Sequence, residues 1–450
     1  MPTKINSDNR AIARSMAIVA ALVLLGSVAR AGREMAIAYR YGVGVEVDAY
    51  LFVFNLITWP VAVWFSVLTV VLVPLAAGIR NLAPSELAVF RAELFGLALV
   101  VGISFAAISF WLLPMVLRSP VVGLAPQIAS AALEMVTPLS ALAPIGVLVG
   151  LFSAWTMAAG RHANTLFESI PSLGVLLAVL LMPAASALPL VGGTVVGYVA
   201  QAAALWLLLK FRNDVEWPRL TMRSPHWAAF FRGFGIMLAG QVLMSVTTII
   251  DQFYAGYLGA GNIATLNYAN RVLALVLGLG AMAVSRATLP IFSTSHLDDG
   301  HHSHRLARRW VGLLFALGVA LAMVGWFLVP AVVTLLFERG AFTAQNSSDV
   351  TRVMRVCLLQ LPFYFSAIVL ASYFSSRRMY AVLLWSGVWA ILTKLAGNTL
   401  LLPLTGLYAI PLATAIMYLV NLAYLLFVFY KHPTSPASAG PLSSKQYSPQ

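Results

Sequence analysis

One arginine lies deep inside a long apolar segment. Arg271 is about nine residues into the stretch 262–285, so in a helix it would lie ~13 Å from the nearer end of that segment. A guanidinium keeps its proton in proteins, and placing it in hydrocarbon is costly. We therefore expect Arg271 to face an aqueous cavity and to bind an anion there.

A second charged group lies at the end of the first apolar segment. Arg30, Arg33 and Glu34 are separated by three and four residues, which places them on one face of a helix. This face predicts an anion site that carries its own counter-charge. The alternative is a cluster at the level of the lipid headgroups, whose long side chains extend out of the bilayer.

Two carboxylates and a lysine complete the set of charged residues in apolar surroundings. Asp48 opens the second segment, shares a face with Asn55 and is also a residue type that caps helix N-termini. Asp251 ends the seventh segment, and Lys394 lies in the middle of the eleventh. We predict that Asp48 and Asp251 orient the cations or couple to ions. Lys394 is predicted to contact the substrate, to move a proton or to pair with one of these carboxylates.

The composition excludes a soluble globular domain, because the mean hydropathy is +0.88 and only 10% of the 450 residues are charged. The formal net charge of +13 comes from basic residues in loops, where they orient membrane proteins, so no nucleic acid is expected as a partner. Cys357 is the one cysteine, so neither a disulfide framework nor a metal site is predicted. The His-rich stretch 298–304 is predicted as a solvated loop.

Twelve apolar segments are each long enough to cross a hydrocarbon core of ~30 Å. Basic residues concentrate in every second link, which predicts that both termini lie in the cytoplasm. The first outer link breaks this pattern with Arg30, Arg33 and Arg40, which indicates a role other than topology. The segments are predicted at 12–32, 49–77, 92–117, 135–158, 165–186, 190–210, 228–250, 262–285, 310–337, 352–375, 380–402 and 406–430.

The chain repeats itself in the same orientation. Glu34 precedes the turn 42–44 by eight residues, and Asp251 precedes the turn 259–261 by the same eight residues. Six segments separate these partners, so the halves are parallel copies related by an axis along the membrane normal. A second set of matches recurs 220 residues apart and pairs Thr194, Tyr198 and Gln201 with Thr414, Tyr418 and Asn421.

The predicted fold is an all-α polytopic membrane protein with two six-helix lobes around a central cavity. The lobes are predicted at 1–210 and 227–431, joined by a cytoplasmic linker at 211–226 and followed by a disordered tail at 432–450. The sequence carries no phosphate-binding loop or nucleophile motif, which favours a transporter over an enzyme. No cofactor is expected, and energy would come from a coupling cation or the membrane potential.

Three stretches carry a family resemblance: REMAIA with the following YGVG and DAY within 33–50, LNYANR at 266–271 and LFERGAFT at 336–343. Together they resemble the MurJ/MviN family of lipid II flippases, within the multidrug/oligosaccharidyl-lipid/polysaccharide exporter superfamily. The resemblance implies a cavity that opens alternately to each side of the membrane. It also implies a polyprenyl-diphosphate-linked saccharide as the substrate, moved from the inner to the outer leaflet.

The resemblance further implies roles for named residues. Arg33, Asp48 and Arg271 match cavity residues that the family needs, and forked guanidinium donors bind a diphosphate well. Family cations are absent at Ser27 and Ile368, and Arg30 and Lys394 are placed to compensate. The predicted substrate-binding residues are Arg30, Arg33, Arg271 and Lys394, and the predicted orienting or ion-coupling residues are Glu34, Asp48 and Asp251.

The sequence thus predicts a flippase of the bacterial inner membrane that works by alternating access. Its substrate would be lipid II for peptidoglycan or a lipid-linked exopolysaccharide intermediate. Its partners would be the bilayer and the enzymes that assemble the glycan. The alternative on the same scaffold is a cation-coupled multidrug efflux transporter. Such a transporter would favour acidic residues in its cavity, whereas most candidates here are basic.

Overall fold

The computed structural model describes residues 25–82, 84–119, 123–160, 163–182, 186–294, 300–377 and 379–431. Within these ranges the chain forms helices joined by turns and short links, and no β-strand occurs in them. The beginning of the first predicted segment and the tail at 432–450 lie outside the described residues, so the disorder of the tail stays a prediction.

The helices are numbered α1 to α15 along the chain. The first eight are α1 (25–41), α2 (Val45–Leu82), α3 (Pro84–Arg118), α4 (Pro126–Ser140), α5 (Leu142–Ala158), α6 (Ala163–Phe167), α7 (Ile170–Leu181) and α8 (Leu188–Lys210). The others are α9 (Trp227–Tyr257), α10 (Asn262–Thr294), α11 (Gly300–Phe337), α12 (Ala344–Leu358), α13 (Leu361–Ser376), α14 (Tyr380–Thr405) and α15 (Ala409–Lys431).

Length and apolar composition identify membrane-crossing helices among the described residues. Seven helical segments qualify, or nine when each bent pair counts as one span, with α4–α5 bent by 45° and α12–α13 by 40°. One of the seven, Tyr380–Lys431, contains both α14 and α15, which fold back on each other: Lys394 Nζ donates to the Ile410 carbonyl at 2.8 Å. This segment therefore supplies two crossings. With α1 and the shorter apolar helix α7, each of the twelve predicted segments has a helical counterpart within the described ranges.

α1 corrects the prediction for the first link. The helix continues to residue 41 instead of ending near 32, so Arg30, Arg33 and Arg40 lie on a helix and not in an outer link. The stretch 33–41 contains no Gly or Pro and several strong helix formers, which explains the extension. Gly42 then ends the helix with a φ of +60°.

α11 corrects the prediction of a His-rich loop. The helix begins at Gly300, and the imidazole of His304 stacks on Phe429 with ring centres 3.9 Å apart. The predicted loop was wrong here because a helix can extend beyond the hydrocarbon core, and hydropathy marks only its embedded part. Within the described ranges, no group of three or more His, Cys, Asp or Glu residues could hold a metal ion.

The described residues divide into two compact units. One contains the chain up to Tyr268 together with Ala331–Val350, and the other contains Ala269–Pro330 together with the chain from Thr351 onward. These units follow the packing of the chain, whereas the predicted lobes follow the internal repeat. The lobe boundaries therefore stay a prediction.

Aromatic packing holds the first unit together. Phe90 of α3 lies edge-on to Trp227 and Phe230 of α9, with ring centres 5.2 and 6.0 Å apart. The same ring is 6.4 Å from Trp155 of α5. These edge-to-face contacts add to the burial of large apolar surfaces and fix α3, α5 and α9 against one another.

Corresponding helix pairs in the two halves pack closely, α7 on α8 and α14 on α15. A Cβ on Gly174 would lie 2.8 Å from the Gly193 carbonyl oxygen, so α7 and α8 approach each other through glycine. The position 220 residues after Gly174 is Lys394, whose long side chain reaches α15 instead. The repeat thus keeps the pairing of helices but changes the chemistry between them.

The linker at 211–226 is docked on the ends of neighbouring helices. Glu93 of α3 is 1% exposed and accepts hydrogen bonds from the backbone N–H groups of Arg223 and Ser224 at 2.7 and 3.0 Å. It also accepts from the indole N–H of Trp227 at 2.7 Å. A buried carboxylate needs such donors, so Glu93 fixes the path of the linker into α9.

Candidate functional site

Arg33 and Glu34 form an ion pair within α1. Arg33 lies eight residues before the helix ends at residue 41, which corresponds to ~12 Å along the axis. Its side chain is 12% exposed, and its guanidinium contacts the Glu34 carboxylate. The Nε of Arg33 is buried and has no acceptor among the described residues. Arg33 therefore has an internal counter-charge, and its Nε donates to no acceptor within the described residues.

Arg30 lies apart from that pair. It is exposed, and its guanidinium donates to Ser27 Oγ at 3.0 Å. Glu168, at the turn before α7, lies within electrostatic reach of Arg30. Further along α1, Arg40 donates to the Val179 carbonyl of α7. The structure thus brings Arg33 and Glu34 together, whereas Arg30 and Arg40 face α7 and the turn before it.

Asp48 binds the N-terminus of a distant helix. Its carboxylate is completely buried and accepts from the backbone N–H groups of Gly261 at 2.5 Å and Ala264 at 2.6 Å. Because α10 begins at Asn262, Asp48 supplies the acceptor that a helix N-terminus lacks and puts negative charge at its positive end. The carboxylate caps α10, and not its own helix α2 as the sequence indicated.

Tyr268 connects α10 to the turn that follows α1. Its hydroxyl donates to the Gly42 carbonyl at 3.2 Å, and the residue is 2% exposed. Its ring packs on Phe337 and Phe342, with ring centres 5.1 and 5.5 Å apart. The aromatic residues of the LFERGAFT stretch therefore pack directly against the start of α10.

Two glycines let the backbones of the α1–α2 turn and the loop 338–343 meet. The Ala341 N–H donates to the Tyr39 carbonyl at 2.7 Å. A Cβ on Gly42 would overlap the Ala341 carbonyl, and a Cβ on Gly340 would overlap the Tyr39 carbonyl. Both glycines have a φ of +60°, a conformation that other residues adopt only with strain.

We refer to these contacts as the motif cluster, defined as the turn 42–44, Asp48, Gly261 with residues 262–268 of α10, and the loop 338–343. All of them lie within the first compact unit. Each of the three stretches that carry the family resemblance contributes to this cluster. The contacts join elements that are far apart in sequence, so the three stretches support one another in a single local structure.

An amide network on the same helices was not predicted as a site. Asn55 of α2 donates to Asn267 Oδ1 at 3.4 Å, and Asn267 donates to Gln252 Oε1 at 3.3 Å. Gln252 is 2% exposed and directly follows Asp251 on α9. The available signal was the presence of polar amides inside apolar segments, which commonly join helices in membranes.

Arg271 and Asp251 are half-buried on their helices. Arg271 lies nine residues after α10 begins at Asn262. Asp251 lies six residues before α9 ends at Tyr257. Their depths along the helices agree with the sequence estimate, and their contact with a substrate or an ion stays a prediction.

Lys394 joins α14 to α15. The residue is 1% exposed, and its ammonium donates to the Ile410 carbonyl at 2.8 Å and to the Thr414 hydroxyl. Thr414 is one of the repeat positions noted in the sequence, so the repeat pointed to a residue that contacts this cation. These contacts give Lys394 a structural function, and its contact with the substrate stays a prediction.

Sequence comparison identifies the family. A sequence model of the family described as lipid II flippase MurJ matches residues 37–441. A probable lipid II flippase MurJ from Buchnera aphidicola is 22% identical over 394 residues, which cover 85% of this chain and 77% of the relative. One from Bdellovibrio bacteriovorus is 24% identical over 243 residues, which cover 53% of this chain and 46% of the relative. One from Helicobacter pylori J99 is 29% identical over 213 residues, which cover 46% of this chain and 45% of the relative. In the last two, the chain spans less than half the length of the relative.

The fold is similar to that of solved transporters. Lipid II flippase MurJ in an inward closed conformation gives a TM-score of 0.79 at 17% identity, over 92% of this chain and 87% of that chain. An inward-facing multidrug resistance MATE family transporter of the MOP superfamily gives 0.74 at 14% identity, over 92% and 96%. At these identities the likeness shows the fold alone, and it confirms the predicted all-α membrane fold. The family match favours the flippase prediction over the efflux alternative. The chain belongs to the lipid II flippase MurJ family of multi-pass membrane proteins.

Proposed function

We propose that this chain moves lipid II, a polyprenyl-diphosphate-linked saccharide, from the inner to the outer leaflet of the bacterial inner membrane by alternating access. The observation that supports this most directly is Arg33. Its guanidinium lies in largely apolar surroundings and pairs with one carboxylate, that of Glu34. Its Nε is buried and has no acceptor among the described residues. The family match supports the same substrate class.

A diphosphate has the chemistry that such a guanidinium recognises. It offers several anionic oxygens, to which a guanidinium donates in a forked, charge-assisted geometry. Glu34 balances Arg33 while the substrate is absent, which lowers the cost of keeping the cation in an apolar environment. Arg271 supplies a second permanent cation on α10, and both contact the diphosphate in this proposal.

Arg30 and Lys394 are secondary contacts in the proposed site. Ser27 occupies a position where the family has an arginine, and Arg30 lies beside it at 3.0 Å. The Arg30 guanidinium is therefore within one helical turn of that family cation. Ile368 replaces a family lysine, and Lys394 carries the corresponding charge from α14. The absence of the family cations at Ser27 and Ile368 is the reason for a lipid-linked exopolysaccharide intermediate as the second candidate substrate.

The motif cluster acts as a gate in this proposal. Its contacts comprise a carboxylate cap, two further hydrogen bonds and a small aromatic group, each of modest free energy. Contacts of this kind can break in one conformation of a transporter and form again in the other. Gly42 and Gly340 let the backbones meet without side chains that would obstruct closure.

Translocation changes no covalent bond of the substrate, so we expect no enzymatic step. A coupling cation or the membrane potential drives transport in this proposal, with Asp251 as the ion-coupling residue and Asp48 as the residue that orients α10. Both termini face the cytoplasm, where the enzymes that assemble the glycan would supply the substrate.

Complementation tests the proposal. Cells depleted of their own lipid II flippase would express the wild type, Arg271→Ala or the control Arg352→Ala, with membrane levels checked by blot. We expect growth with the wild type and the control, and none with Arg271→Ala. Absence of rescue by the wild type at normal levels would contradict lipid II as the substrate. Accumulation of a different lipid-linked glycan in a deletion strain would then support the second candidate.

A further inference from the structure

The linker at 211–226 carries large apolar side chains that nothing in its own unit covers. Trp217, Leu220 and Met222 are 84%, 78% and 58% exposed. Phe211, directly after α8, is exposed as well. Exposed apolar side chains grouped in this way mark a surface that contacts a membrane or another protein. The level of the linker along the helices decides between these two.

The contacts of the linker fix that level on α3. The Arg219 N–H donates to the Ala92 carbonyl at 2.8 Å, and the Thr221 hydroxyl donates to the Glu93 carboxylate at 2.7 Å. A Cβ on Gly96 would overlap the Arg219 carbonyl oxygen, so the two backbones meet directly. The linker therefore crosses α3 at residues 92–96.

The sequence of α3 shows where hydrocarbon begins relative to this crossing. Residues 94–117 contain no charged side chain, and Glu93 and Arg118 flank them. This stretch is ~36 Å long in a helix, whereas a hydrocarbon core is ~30 Å thick. The near edge of the core is then at most ~6 Å from Glu93, and the headgroup layer is itself ~5–7 Å thick on each side. The linker thus crosses α3 within the headgroup layer.

The end of α8 indicates the same level independently. Residues 188–209 contain no charged side chain, and Lys210 ends the helix. The Lys210 ammonium lies 4.7 Å from the centre of the Trp206 ring. A tryptophan beside a lysine at the end of an apolar helix is typical of the boundary between membrane and water. Phe211 follows directly, so the linker begins at that boundary.

The exposed side of the linker is also basic. Arg212, Arg219 and Arg223 are exposed, and none of them forms an ion pair among the described residues. Asp214 is partly buried in an ion pair with α3, which leaves Glu216 as the exposed carboxylate of the linker. A surface that is both apolar and positively charged complements the headgroup layer of an anionic bilayer.

We propose that the linker is a membrane-surface anchor, in which Trp217, Leu220 and Met222 insert among the headgroups and the exposed arginines bind the phosphates of anionic lipids. A protein partner would have to displace those headgroups and supply acidic groups of its own, whereas the bilayer already offers both chemistries at this level. The anchor is separate from the substrate site and does not depend on which glycan is carried.

Fluorescence quenching in proteoliposomes of the full chain tests the depth of the linker. In a Cys357→Ala background, a bimane label on Leu220→Cys would meet lipids that carry a nitroxide at the headgroup end of an acyl chain. We expect loss of most of the bimane fluorescence. Ser85→Cys is the matched control, because Ser85 is exposed on α3 and lies ~12 Å before Glu93, farther from the core. Its label should keep its fluorescence.

A second measurement tests the charge of the bound lipid. The nitroxide is placed on phosphatidylglycerol or, at the same mole fraction, on phosphatidylcholine. The phosphatidylglycerol probe should quench the label on Leu220→Cys more strongly, and Arg219→Gln combined with Arg223→Gln should abolish this difference, since their attraction to anionic lipid is lost. Arg118→Gln removes an exposed charge from the other end of α3 and should leave the difference unchanged.

Three results would overturn the anchor. Equal quenching of the labels on Leu220→Cys and Ser85→Cys would place the linker no deeper than the start of α3. Equal quenching by the two lipid probes in the otherwise unchanged linker would exclude a preference for anionic lipid. Absence of lipid quenching on Leu220→Cys would exclude membrane contact, and crosslinking of that cysteine to another protein in cells would then assign the surface to a protein partner. Each variant is first compared with the wild type for its thermal unfolding midpoint.

Discussion

Arg33 and Asp48 carry opposite charges on consecutive helices, and their surroundings give them different functions. Both oxygens of Asp48 are occupied by backbone N–H groups at the start of α10. Arg33 has Glu34 as its partner and a buried Nε with no acceptor within the described ranges. Asp48 therefore holds a helix in place, whereas Arg33 is the residue that we propose as the anion contact.

Replacing Asp48 by Asn is expected to destabilise the protein. The amide group would turn one N–H-donating nitrogen toward backbone N–H groups and leave a donor unsatisfied, at a cost of roughly 1–3 kcal/mol. The thermal unfolding midpoint in detergent should fall by several degrees. Glu46→Gln is the matched control, because Glu46 is exposed in the first turn of the same helix. Equal midpoints for Asp48→Asn and the wild type would contradict the cap.

At this scale the sequence identified the residues better than their partners. The depth of Arg271 follows from its position in an apolar stretch, and the charge of Glu34 beside Arg33 is visible in the chain. Asp48 and Gly261 are 213 residues apart in sequence, so their contact depends on how α2 and α10 pack. No local pattern encodes such a contact, so the sequence indicated a cap for the wrong helix.

The loop 338–343 is held by backbone contacts that require glycine. In Gly340→Ala, the backbone would be strained because an alanine adopts a φ of +60° only at a cost. The new Cβ would also overlap the Tyr39 carbonyl oxygen. Hydrogen exchange of the Ala341 amide, which donates to Tyr39, should become faster. Gly406→Ala is the matched control, since its φ is +57° and no atom would lie within 4 Å of the new Cβ. If both variants changed the hydrogen-exchange rate of the Ala341 amide equally, the close approach of Gly340 to the Tyr39 carbonyl would not be the cause.

The linker depends on Glu93 in the same way. Glu93→Gln would place an amide nitrogen among the donors of Arg223, Ser224 and Trp227, and the linker at 211–226 should detach more often. Trypsin should then cut the linker faster than in the wild type. Glu134→Gln serves as a control because Glu134 is an exposed carboxylate on α4, with no hydrogen bond to the linker among the described residues. Unchanged cleavage rates would count against the docking.

Hydropathy predicted the elements but not their ends. Apolar stretches of 20 residues mark embedded segments, and each predicted segment has a helix. The part of α1 that carries Arg33 and Arg40 was placed in a link because charged residues lower the local hydropathy. Helix propensity and the position of Gly42 set the actual end.

At the scale of the whole molecule, the basic residues of alternate links predict the orientation. In a Cys357→Ala background, Trp217→Cys in the linker should react with an impermeant maleimide only after the cells are permeabilised. Ala260→Cys, in the turn before α10, should react with intact cells. Trp217 is 84% exposed and Ala260 is exposed, so access within the protein does not limit either reaction. The reverse labelling pattern would contradict cytoplasmic termini.

The internal repeat and the packing divide the chain differently, for a physical reason. The motif cluster attaches the start of α10 and the loop 338–343 to α1 and α2, so these residues pack with the first unit. A repeat in the sequence records equivalent positions, whereas packing records the contacts of one conformation. The contacts of the motif cluster join non-equivalent positions, so they cannot be derived from the repeat.

Translocation by purified protein tests the central claim most directly. Proteoliposomes with fluorescent lipid II in the inner leaflet would contain the wild type, Arg33→Ala or the control Arg352→Ala, and quenching from outside would report arrival in the outer leaflet. The account predicts transport by the wild type and the control, and a rate at least about ten-fold lower for Arg33→Ala, since one charge-assisted contact is lost. Equal rates for Arg33→Ala and the wild type, at equal protein incorporation, would contradict the assignment of Arg33 to the anion site.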